Sequence, residues 1–108
     1  MDMILPPSLV AYLNSEATTD VESLATCFAA DAVVHDEGRV IRGLDAIKAW
    51  KKDAKAKYQY TVHPLDAVQD QATVTMRARL SGTFPGSPIE VTYRFVLVND
   101  KIALLEIR

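Results

Sequence analysis

The apolar residues of this chain change period near Tyr58. Before it they recur at helical spacing, and after it they alternate with polar residues at a period of two. A chain so divided places helices first and a sheet afterwards, which is an α+β order. In the first part, Ser8 is positioned to cap a short helix carrying Leu9, Val10, Tyr12 and Leu13, its hydroxyl accepting from a first-turn amide. Thr19 and Glu22 have the spacing of a capping box, followed by Val21, Leu24, Ala25 and Phe28 as a second amphipathic helix. A third helix is predicted after Gly43, with Leu44, Ile47, Trp50 and Ala54 as its apolar stripe. Lys51, Lys52, Lys55 and Lys57 gather toward its C-terminal end, where the helix dipole favours cations and no ligand is needed to explain them.

Between the second and third helices, Ala32 to Asp36 reads as a short strand, Glu37 and Gly38 as its turn, and Val40 and Ile41 as the return. Farther on, Val74, Met76, Ala78 and Leu80 face one way while Thr73, Thr75, Arg77 and Arg79 face the other. Residues 89 to 98 repeat the alternation, and the intervening TFPGSP supplies turn residues, so the two runs should pair antiparallel. Asn99 and Asp100 make the last connection before a closing strand, 101 to 108. One face of the resulting sheet is apolar and must be covered by the helices. The other mixes Thr, Arg and Glu with Val96, Val98, Ile102 and Leu104, a composition suited to a subunit interface, and predicts a homodimer. Arg77, Arg79, Arg94, Glu90 and Glu106 on that face read as interface pairs, and a plain solvated sheet face is the simpler alternative.

Composition narrows the function. With 108 residues, 49% of them hydrophobic, the chain makes one domain, 1–108. A net charge of −2 lacks the basic field of a nucleic-acid binder. The four glycines form neither of the common phosphate cradles. Cys27 is the single cysteine, which rules out an internal disulfide and fits a reducing, cytoplasmic setting. The start, MDMILPPSLV, reads as neither signal peptide nor membrane span.

The strings FAADAVVHDEGRVIRGLDAIKAW, FPGSPIEVTYRF and NDKIALLEIR resemble, in order and spacing, the SnoaL-like branch of the nuclear transport factor 2-like superfamily. The resemblance implies a cone-shaped α+β barrel: a strongly curved antiparallel sheet around a pocket, with helices closing the cone and dimers packing by the convex sheet face. Ketosteroid isomerases, polyketide cyclases, dehydratases, an epoxide hydrolase and non-catalytic binding modules all share that fold, so the site must be argued separately. Tyr12 falls where the isomerases have an oxyanion-binding tyrosine, and Asp36 where they have a general-base carboxylate. The second oxyanion donor, an aspartic acid in those enzymes, is missing: Val91 and Thr92 stand in EVTYRF. The Arg-x-Asp of the epoxide hydrolase is replaced by Arg77-Ala78-Arg79.

An aspartate at a strand end, facing walls of Met76, Ala78, Leu80, Val91, Tyr93 and Phe95, loses hydration, so its pKa should rise. Such a carboxylate takes a proton from a carbon beside a carbonyl if something stabilises the enolate oxygen, and Tyr12 is the matched donor. Lacking a second donor costs on the order of 3 kcal/mol, which argues against efficient steroid isomerisation. Both residues have plainer readings: Asp36 bonding turn amides in D-E-G, and Tyr12 as a core tyrosine. Trp50, Tyr58 and Tyr60 are candidate aromatic walls for a flat apolar ligand, or core residues. His63 is a candidate proton shuttle or a structural residue at a strand end. His35, next to Asp36 in a strand, should face the opposite side, and His35, Asp36 and His63 lack a metal-ligand spacing. No cofactor or metal is expected. Cys27 reads as a small buried hydrophobe. Three functions follow: a cofactor-free isomerase, cyclase or dehydratase acting on a small apolar carbonyl compound, a non-catalytic small-molecule binder, or a protein-interaction module.

Overall fold

The computed structural model describes residues 5–16 and 21–108. Helix α1 spans Pro7–Glu16, a 3-10 turn covers Val21–Thr26, and helix α2 spans Leu44–Tyr58. Six strands, β1 (Phe28–Asp36), β2 (Arg39–Arg42), β3 (Thr61–Asp70), β4 (Thr73–Ser81), β5 (Ile89–Val98) and β6 (Lys101–Ile107), form one curved, open sheet in the order β2-β1-β6-β5-β4-β3. The α+β expectation holds. The sheet is mixed where the sequence predicts an antiparallel one: β1 and β6 pair parallel, and the other pairings are antiparallel. Hairpin turns enforce antiparallel neighbours, but β1 meets β6 across most of the chain and is free of that constraint.

The helical half differs in detail. Pro7 occupies the first position of α1, where its missing N–H costs nothing, and Pro6 O accepts from Leu9 and Val10 N at 3.0 and 3.1 Å. Ser8 therefore lies inside the first turn, and its buried hydroxyl has no protein partner among the described residues. Thr19 of the expected capping box lies outside the described residues. The second helix is reduced to the 3-10 turn, because Phe28 opens β1 instead of closing a helix. At the turn into α2, Gly43 holds φ at 88°, a left-handed value that glycine adopts without strain, and its N–H donates to Ala32 O at 2.8 Å.

The core lies between the helices and the inner sheet face. Tyr12, Phe28, Val34, Ile47, Met76, Phe95 and Leu105 are among its fully or almost fully buried members. Ile102 belongs to it too, a correction to the outward position expected from alternation. Leu97 pairs with Ile102 and Val96 with Leu104, leaving Ala103 as an extra residue that resets the parity of β6. A second irregularity in β3, between Pro64 and Asp66, lets that strand bend. On the outer face Arg77 pairs with Asp66 and with Glu90, and Arg94 with Glu106. Among the described residues no helix is long and apolar enough to cross a membrane.

The exit of β4 is riveted to the end of α2. Tyr58 O accepts from both the amide and the hydroxyl of Thr83 at 2.9 Å. A Cβ on Gly82 would stand 2.6 Å from that same carbonyl oxygen and 2.9 Å from the Cα of Tyr60. Both obstacles are backbone and cannot swing aside. Gly82→Ala should therefore destabilise the fold by about 1–3 kcal/mol, the usual cost of overpacking, read as a lower urea midpoint with unchanged slope.

Candidate functional site

Asp36 is the last residue of β1, before a turn in which Glu37 and Gly38 hold φ at 53° and 75°. Strand alternation turns Ala32, Val34 and Asp36 inward and leaves His35 exposed on the other side, as the sequence predicts. The indole of Trp50, one turn into the buried stripe of α2, donates from Nε1 to Asp36 Oδ2 at 3.0 Å. Partial burial raises the Asp36 pKa. The Trp50 hydrogen bond works against that shift, and the neighbouring charge of Glu37 adds to it.

Beside this carboxylate opens a cavity of about 670 Å³. Asp36, Trp50, Tyr58, Tyr60, Leu80, Val91 and Tyr93 line it, together with Glu37, Gly38, Ala54, Phe84, Pro85, Ile89, Ile107 and Arg108, none of which the sequence marks as a wall residue. Phe84 stands edge-on to Tyr58, ring centroids 5.9 Å apart, so the loop between β4 and β5 contributes an aromatic wall. That loop has no periodicity to read, which is why its share of the site was not legible.

Four expected wall residues are elsewhere. Met76, Ala78 and Phe95 are wholly buried below the cavity, in the core. His63 pairs with Arg79 on the exposed side of β3, away from the cavity. The expected oxyanion donor moves too: Tyr12 is wholly buried, edge-on to Phe28, Tyr93 and Phe95, and does not line the cavity. The reason is common to Tyr12 and its neighbours. Where α1 crosses the sheet its tyrosine fills the interior, and the cavity beside Asp36 opens toward the end of α2.

Behind the cavity wall lies a charge cluster. Lys51 is 3% exposed and Glu16 is 8% exposed. Lys51 Nζ pairs with Glu16 Oε1, donates to the hydroxyls of Tyr12 and Tyr60 at 3.0 Å each, and sits 4.5 Å from the centroid of the Trp50 ring. Lys55 Nζ joins at 2.9 Å from Glu16 Oε2 and from its backbone oxygen. Burial pushes Glu16 upward, but the two ammonium groups outweigh it and hold the carboxyl below its ordinary range. Burial likewise lowers Lys51, and the Glu16 charge opposes the shift. The dipole reading of these lysines therefore does not hold for Lys51, a buried mid-helix partner of Glu16, whereas Lys55 and Lys57 do lie in the last turn of α2, Lys55 also pairing with Glu16. A signal was present: Glu16 continues the spacing of Leu9, Tyr12 and Leu13, and Lys51 follows Ile47 by four residues, so each charge falls on the apolar stripe of its helix. Two opposite charges on buried stripes point to each other.

Cys27 is buried, and that burial pushes its thiol up to about 11, so it is no nucleophile at neutral pH.

Residues 9–105 match the family model of the SnoaL-like domain. Among solved structures, the Sinorhizobium meliloti protein SMa1630, a candidate polyketide cyclase, is 39% identical, with 96% of this chain and 95% of that one covered and a TM-score of 0.93. A Catenulispora acidiphila protein of ketosteroid isomerase-like fold, in complex with trimethylamine, is 22% identical over 97% of this chain and 86% of its own, TM-score 0.85. TerC, co-crystallised with polyporic acid, is 14% identical over 94% of this chain and 87% of its own, TM-score 0.81. No protein of curated function matches the chain.

Removing one member of a buried ion pair leaves the other charge uncompensated. Lys51→Met should cost about 3–5 kcal/mol in urea unfolding, and the double variant Glu16→Gln/Lys51→Met markedly less. Because the Glu16 pKa is lowered on folding, its stabilisation is complete above its ordinary value of 4.5 and is lost as pH falls through the lowered value. Glu16→Gln should flatten this acid limb in a series of melting temperatures across pH.

Proposed function

Because the chain belongs to the SnoaL-like family, we propose that it is a small-molecule enzyme of the isomerase, cyclase or dehydratase type, using Asp36 as general base on an apolar carbonyl compound. The observation that carries this reading is an aspartate on the wall of an aromatic-lined cavity, fixed by the Trp50 indole and pushed toward a higher pKa by its burial. A carboxylate of raised pKa is a better acceptor of a carbon-bound proton than a free one. The Asp36 carboxylate takes a proton from the carbon beside the carbonyl, the C–H electrons move to make the enolate, and the carboxylic acid returns the proton at another carbon. Cyclisation and dehydration share the first half of that sequence. No cofactor enters it. The flat walls of Trp50, Tyr58, Phe84 and Tyr93 suit a planar ring, and SMa1630, TerC and the trimethylamine-bound protein support a small-molecule role for the cavity.

The reading includes a cytoplasmic location, supported by the single buried thiol. It also includes a homodimer through the outer sheet face. There Val68 and Val98, 68% and 53% exposed, stand on the same sheet as the Arg77 and Arg94 ion pairs. Light scattering at micromolar concentration should give twice the chain mass of 11.9 kDa, and a monomeric mass removes this assignment.

Screened against small cyclic enones and aromatic diketones, Asp36→Asn should lose at least about a hundredfold in kcat while binding the same compounds as before. For wild type, kcat/KM should rise as pH increases through the raised Asp36 pKa, since only the ionised carboxylate is a base. Tight binding with no turnover by wild type would make the protein a binding module instead.

A further inference from the structure

We infer that Tyr60, held by Lys51, is the group that donates a hydrogen bond to the substrate oxygen in the reaction begun by Asp36. The inference rests on the reading above and replaces Tyr12 in that role. Tyr12 and Tyr60 both accept from Lys51 Nζ at 3.0 Å, but only Tyr60 also lines the cavity that Asp36 lines. A phenol oxygen that accepts from an ammonium group still carries its own proton and donates it more strongly. Two acceptors compete for the Tyr60 proton: the Glu16 carboxylate behind the wall, and a ligand oxygen in the cavity. Glu16 keeps Lys51 and Lys55 when the Tyr60 hydroxyl turns away. Burial, with the Glu16 charge adding to it, raises the Tyr60 pKa far above the ordinary phenol value, so the proton is shared with the enolate oxygen and not transferred to it. When Asp36 takes the carbon proton, negative charge accumulates on the carbonyl oxygen. The Tyr60 O–H bonds to it, and the Lys51 ammonium steadies the hydroxyl from behind. Lys51 is a positioning residue in this scheme, since it does not reach the cavity itself.

Titration with 2-naphthols of graded acidity, whose oxygens mimic an enolate, tests the assignment by calorimetry. Wild type should bind them with an affinity that varies with their acidity. Tyr60→Phe should weaken binding by roughly ten- to a hundredfold and flatten that dependence, as loss of a hydrogen bond to a charged oxygen requires. Tyr12→Phe loses the same Lys51 bond without a cavity contact and should leave both unchanged. If Tyr60→Phe binds the series like wild type, the Tyr60 assignment is overturned and the cavity reading stands. If wild type binds no member, both fall.

Discussion

The pairing of Glu16 with Lys51 is the constraint around which the helical half of this protein is arranged. It fastens the end of α1 to the middle of α2 with both groups buried away from bulk solvent. Buried pairs gain little over a well-packed apolar contact, because desolvation takes back most of the Coulomb attraction. What such a pair does impose is register. Sliding α2 by one turn along α1 would leave two opposite charges stranded in the core, whereas an all-apolar contact would tolerate the slip. With α2 fixed, Trp50 is brought to Asp36 and Tyr60 to the cavity wall. The geometry of the site is thus inherited from an ion pair that itself faces no ligand.

The sheet completes the arrangement by its shape. Irregularities in β3 and β6 bend the strands and let the inner face wrap around the helices. Core residues fill one part of the enclosed space, with Tyr12 packed against three rings, and the remainder stays open beside Asp36. One concave surface therefore serves as hydrophobic core in one region and as binding wall in the next. Tyr93 shows the transition: it stacks on the buried Phe95 and at the same time borders the cavity.

Much of the fold was legible from the change of period at Tyr58. The alternation in β4 and β5, the stripe of α2 and the turn at Glu37 and Gly38 each follow from local chemistry, and Asp36 was found with them. The parts that escaped depend on distant residues. The parallel pairing of β1 with β6 joins the first strand to the last, and no local pattern announces it. Phe28 fits a helical stripe in sequence but joins a strand because Ile102 is waiting for it. Tyr12 and Tyr60 could not be ranked as donors without knowing where the interior closes. Phe84 and Pro85 lie in a loop whose position is set by the Thr83 contacts to Tyr58.

The adjacency of β1 and β6 also governs how the molecule can come into being. Strand β1 is made early and its neighbour on one side is β6, so on the ribosome it waits, with a row of unpaired peptide groups, until β2 through β5 and then β6 have emerged. Closing so long a loop is slow compared with helix or hairpin formation. The nascent polypeptide is consequently exposed to aggregation until β6 has emerged, and a product truncated ahead of Lys101 would split the sheet in two, separating Asp36 on β1 from the cavity walls on β4 and β5.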